Sequence, residues 1–161
     1  MCLMGQYLLT CSGYIQSKLY CLHCLKVIHL LGEMSQSEKM QLRISQYIKE
    51  IHALSEKQML NLIGISNTEL KEQYGPANLE TLTTYDMNYS RYIRNLHLLA
   101  DCIYSEYPKE AVEVWEYCLT IGTDISGTYN ALAQHYVTEQ NKEHFMKLYD
   151  LIPNKETISG K

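Results

Sequence analysis

Residues 54 to 66 read Leu-Ser-Glu-Lys-Gln-Met-Leu-Asn-Leu-Ile-Gly-Ile-Ser, and this stretch decides how the rest of the chain is read. Met59, Leu60, Leu62 and Ile63 supply the apolar face of a short helix. Gly64 falls where a turn between two helices needs a residue that tolerates positive φ. The spacing predicts a helix-turn-helix: Ser55 as N-cap, a first helix to about Ile63, the turn at Gly64, and a second helix from about Asn67 to Tyr74 closed by Gly75-Pro76. The same apolar residues also suit the core face of any helical hairpin, so the motif by itself leaves both DNA reading and plain packing open.

Working outward, 161 residues with 46% hydrophobic and 20% charged content suffice for one core or two small ones and argue against disorder. Three prolines, eight glycines and few alternating β-branched runs do not provide the turns of an all-β protein. Apolar residues instead recur at three and four spacing, so the expected class is all-α. The formal charge of -4, without a basic arm, means that nucleic-acid binding would rest on local charges. Cys2, Cys11, Cys21, Cys24, Cys102 and Cys118 lack a compact disulfide spacing, which predicts reduced thiols and a cytoplasmic location. The first seventeen residues hold no Lys or Arg, so the charged start of a signal peptide is missing, and Lys18 and Lys26 interrupt the nearest candidate for a membrane span.

Three regions follow. Residues 1–36 form an N-terminal helical segment with Ile15, Leu19, Leu22 and Leu25 on one stripe. Residues 37–82 form a helix-turn-helix-like domain, opening on a helix from near Ser37 to about Ala53 with Leu42, Ile44, Tyr47, Ile48 and Ile51 as its apolar positions. Residues 83–161 form two tetratricopeptide-like helical hairpins. In that last region Leu99-Ala100-Asp101-Cys102-Ile103-Tyr104 aligns with Leu132-Ala133-Gln134-His135-Tyr136-Val137 at an offset of 33 residues, and Trp115 aligns with Leu148. A small Ala on a first helix, faced by a large apolar residue from the second, closes such a pair, so Ala100 and Ala133 are expected to be buried alike. Pro108 suits the first position of one second helix, and Pro153 stops the other.

Few residues suggest chemistry. Cys21-Leu-His-Cys24, with His29 nearby, has the spacing of half a zinc site, but no second Cys-x-x-Cys exists to complete it, so the thiols read as small apolar helix residues and no metal is expected. No phosphate loop, His-Glu-x-x-His or Gly-x-Ser-x-Gly is present, so neither an enzyme nor a cofactor is expected. In a helix-turn-helix the second helix enters the major groove N-terminus first, so Ser66, Asn67, Thr68 and Lys71, with Lys57, are the candidate DNA contacts. Against them stand Glu69 and Glu72 on the same helix, whose carboxylates repel phosphate. In the repeats, polar residues on first helices can hold a peptide backbone, and Asn95, His97, Asn130 and Gln134 are the candidates.

Residues 54 to 82, with Ala53-Leu54-Ser55, Leu62-Ile63-Gly64-Ile65-Ser66, Leu70, Gly75 and Asn78-Leu79-Glu80-Thr81-Leu82, resemble the lambda-repressor-type helix-turn-helix of peptide-sensing regulators in Gram-positive bacteria and their phages. Ser105-Glu106-Tyr107-Pro108, Tyr117-Cys118-Leu119 and Ala131-Leu132 more specifically resemble the arbitrium receptors of that group. The resemblance implies an operator-binding protein switched by a short peptide held in the repeats. It departs from the family in the roughly fifty residues before the motif, in a second helix one residue short before Gly75, and in having only two helical pairs. The first expectation is therefore a small, truncated, peptide-responsive DNA-binding regulator. The rival is a non-enzymatic helical adaptor that binds a protein or peptide without touching DNA. Expected partners are operator DNA, a peptide or protein on the repeat face, and a second copy in a homodimer; no membrane is expected. A basic, exposed second helix would favour the regulator, and a Glu-dominated one the adaptor.

Overall fold

The computed structural model describes residues 38–152. The expectations for residues 1–36, including the Cys21 and Cys24 pair, and for the stop at Pro153 lie outside the described residues. The order is α1 (Glu38–Ser55), α2 (Asn67–Tyr74), a 3-10 turn (Pro76–Asn78), α3 (Leu79–Ile103), α4 (Pro108–Thr120), α5 (Ser126–Thr138) and α6 (Lys142–Leu151). Every regular element among the described residues is helical, so the chain is all-α. Two compact units divide between Asn95 and Leu96, within α3. Residue 83, expected to open the repeat region, instead lies in the early turns of α3.

In the first unit, α1 turns Ile44, Ile51 and Leu54 inward at helical spacing, while Leu42, expected on that stripe, is exposed. The helix expected from Ser55 to Ile63 does not form. Ser55 is the last residue of α1 rather than an N-cap, and its hydroxyl donates to the His52 carbonyl. Residues 56–66 run as an irregular segment with a turn at Gly64, whose φ is 82°. The physical reason is long-range. Leu60 N–H donates to the Tyr85 carbonyl at 3.3 Å, Leu62 N–H to Asp86 Oδ1 at 3.2 Å, and Asn88 Nδ2 to the Gln58 carbonyl at 3.1 Å. With its polar groups satisfied by α3, this segment buries Met59 and Leu60 without needing helical bonds. Leu60, Leu70 and Leu82 then form a small core, edged by Leu62, Tyr74, Leu79 and Tyr85.

The second unit is built from α4, α5, α6 and the end of α3. Leu96, Leu99, Ala100 and Ile103 of α3, Ala111, Val114, Trp115 and Cys118 of α4, and Leu132 of α5 are all essentially inaccessible. Pro108 opens α4, where its missing N–H has no intrahelical partner to lose. His97 Nδ1 lies 3.2 Å from Thr128 Oγ1, and Tyr104 Oη lies 3.2 Å from His135 Nδ1. Both pairs join residues 31 apart, and both numbers rise together, so α3 and α5 lie side by side and parallel. Tyr104 also packs on Trp115 with ring centroids 5.1 Å apart, and Tyr136 Oη donates to Glu116 Oε1 at 2.6 Å, tying α5 to α4.

Candidate functional site

The second helix expected from the sequence forms with the expected bounds. Ser66 is its N-cap, and a reciprocal capping box closes its N-terminus: Glu69 N–H donates to Ser66 Oγ at 3.3 Å, while Ser66 N–H donates to Glu69 Oε2 at 2.7 Å. These bonds hold the Glu69 carboxyl below its ordinary value of 4.5, backbone N–H first and hydroxyl second, so it is ionised at neutral pH. A negative carboxylate therefore occupies the helix end that would have to approach a phosphate. Lys57, Ser66, Asn67, Thr68 and Lys71 are all exposed, but so are Glu69 and Glu72, and only Leu70 of α2 is buried. The absent first helix removes the scaffold that would fix α2 in a groove, and the exposed charge of α2 is acid-dominated.

The four repeat candidates separate into two pairs. Asn95 is half-buried and its amide donates to the Arg91 carbonyl one turn back at 2.9 Å. His97 faces α5: it is half-buried beside fully buried Thr128, and a Cβ on Gly127 would lie 2.9 Å from its Nε2. Burial pushes its imidazole below the ordinary 6.5, with the Asp101 carboxylate pulling the other way. Asn130 and Gln134 are exposed on α5. Gln134 lines a shallow, open groove with Ala133, Val137 and Thr138.

Three of those groove residues, Ala133, Val137 and Thr138, are not among the sequence candidates. Residues 130, 133, 134 and 137 are spaced i, i+3, i+4, i+7 and so share one stripe, while Thr128 and His135 turn toward α3. Val137 is 63% exposed on this stripe. The signal that could have found the stripe is composition: α5 reads Ser-Gly-Thr-Tyr-Asn-Ala-Leu-Ala-Gln-His-Tyr-Val-Thr, without Asp, Glu, Lys or Arg. Each other described α-helix carries such charges. Ala133, expected to be buried like Ala100, is half-buried, whereas Ala100 is fully buried; Trp115 and Leu148 are both buried as expected.

Among the described residues no three His, Cys, Asp or Glu side chains converge as a metal site, and no helix is long and apolar enough to cross a membrane. No family model, curated protein or solved structure matches the chain.

Proposed function

We propose that this protein is a non-enzymatic, cytoplasmic helical-repeat adaptor that holds a segment of another protein on the solvent face of α5. The observation that carries the reading is the uncharged stripe of Asn130, Ala133, Gln134 and Val137, with its open groove and its exposed valine. Interface centres are depleted of charge, whereas a merely solvated helix face is ordinarily rich in it. The operator-binding reading has less support, since Glu69 and Glu72 flank Lys71 on the exposed helix and the expected first helix is absent.

The test is a photo-crosslinking residue in place of Gln134, irradiated in an extract of the source cells. A discrete protein adduct, absent when the crosslinker replaces exposed Gln41, is the expected result. No adduct from Gln134, together with a low-salt gel shift of DNA from the protein's own upstream region, would overturn the adaptor in favour of a regulator.

A further inference from the structure

We propose that the α3–α5 contact is a pH-operated latch: when His97 takes up a proton, the N-terminal end of α5 leaves α3 while the C-terminal end stays attached. The latch works whether or not a partner sits on α5. Two hydroxyl–imidazole pairs join these helices, His97 with Thr128 and Tyr104 with His135. From 97 to 104 and from 128 to 135 is the same step along both helices, about two turns. The pairs differ in where they meet α5. The first lies in its opening turn, at Gly127 and Thr128, and the second in its closing turn, at His135.

A proton on His97 acts against this contact in three ways. The neutral ring can accept from the fully buried Thr128 hydroxyl at Nδ1, whereas the charged ring only donates. Its Nε2–Cε1 edge lies against Gly127, where a Cβ would stand 2.9 Å and 3.0 Å from those atoms, so the charge would press on the backbone of the first turn. That turn is the positive pole of the α5 dipole and holds no acidic residue, so α5 repels the imidazolium that touches it. Burial works in the same direction and keeps the imidazole below its ordinary 6.5. On α3 the exposed Asp101 carboxylate, one turn on, favours the charged ring, and Arg94 lies one turn back. α5 brings Tyr129 to this end and has no Asp, Glu, Lys or Arg; Asp124, just before the helix, acts on the Tyr129 hydroxyl. At the other end, a charge on His135 would meet the negative pole of α5, and Tyr136 ties that end to α4 through Glu116 at 2.6 Å and packs on His144 of α6. The closing turn is therefore the hinge. An opened His97 binds its proton as an ordinary imidazole and a latched one binds it more weakly, so the latch is closed above about pH 6.5 and loosens as pH falls below it. Because α5 also carries Asn130, Ala133, Gln134 and Val137, the placement of that stripe follows pH.

The test is NMR of the full chain between about pH 7 and about pH 5, reading two contacts: the His97 ring with the Gly127 α-protons, and the Tyr104 ring with the His135 ring. The first should be lost as His97 takes its proton, and the second should persist throughout. Asp101→Asn, at an exposed position, removes the carboxylate that favours the charged ring and should move the loss to lower pH by about half a unit. In His97→Gln, whose amide still reaches Thr128 but does not titrate, the Gly127 and Thr128 amide shifts should stay constant over the range. A His97–Gly127 contact that survives once the ring shifts show His97 charged would overturn the latch. So would loss of both contacts together, which is general unfolding, a midpoint that Asp101→Asn leaves unchanged or raises, or an opening that persists in His97→Gln.

Discussion

Replacing Gly127 by Ala sets two effects of known sign against each other. Gly127 lies in the first turn of α5, where Ala would gain up to about 1 kcal/mol of helix propensity. The added Cβ, however, would stand 2.9 Å from His97 Nε2 and 3.0 Å from Cε1. Ordinary contact needs roughly half an ångström more, and the ring is half-buried with its other nitrogen 3.2 Å from Thr128 Oγ1. Moving the ring sacrifices that bond, worth about 1 kcal/mol, or else overpacks the α3–α5 contact by about 1 to 3 kcal/mol. The overpacking wins, and Gly127→Ala should destabilise by about 1 kcal/mol, lowering Tm by roughly 2 to 4 °C for a chain of this size. In a His97→Ala background the obstacle is gone, so the same change should become neutral or stabilising by up to about 1 kcal/mol. Urea unfolding of the four proteins of this cycle measures the coupling. A Gly127→Ala change that stabilises in the presence of His97, or acts equally in both backgrounds, would refute the parallel α3–α5 packing.

Ala100→Leu should destabilise by about 1 to 3 kcal/mol, because Ala100 is fully buried, whereas Ala133→Leu should stay within about 0.5 kcal/mol on its half-open flank; thermal melts compare the two. His97 has a depressed pKa in the folded state, so the unfolded chain binds its proton first; stability from this group is full above about pH 6.5 and falls as pH drops toward the lower folded value, and a His97→Gln variant should lose that part of the slope in urea melts between pH 7 and 5. Tyr136→Phe should cost about 1 to 3 kcal/mol by removing the hydroxyl that donates to Glu116, read from chemical denaturation. Ser66→Ala should weaken the end of α2 by about 1 kcal/mol, seen as faster hydrogen exchange in residues 69–73 with global stability little changed.

Local signals made much of this fold legible. Gly75-Pro76 after Tyr74 marked the end of α2, since caps are local chemistry, and the Ser66–Glu69 capping box at its start was a local signal in the sequence that the reading of Asn67 as the first helical residue did not use. Pro108 marked the start of α4 for the same reason. The pairing of Leu99 with Leu132 and of Trp115 with Leu148 was readable because the repeat aligns residues of like burial. The segment between Ser55 and Ser66 was not readable. Its apolar spacing fits a helix, but Tyr85, Asp86 and Asn88, over 20 residues away, satisfy its backbone groups in another conformation. His97 and Asn130 align in the repeat, yet His97 is half-buried and Asn130 exposed, because among the described residues only the α3 flank has a neighbouring helix. The uncharged composition of α5 was present in the sequence, but it acquires meaning only once the stripe is seen to face solvent.

Hydrogen exchange of the full chain, with and without the protein captured from Gln134, bears most directly on where this molecule binds. Slowed exchange across residues 126–141, with residues 57–74 unchanged, is the expected footprint. Protection confined to residues 57–74, with α5 exchanging as in the free chain, would contradict it.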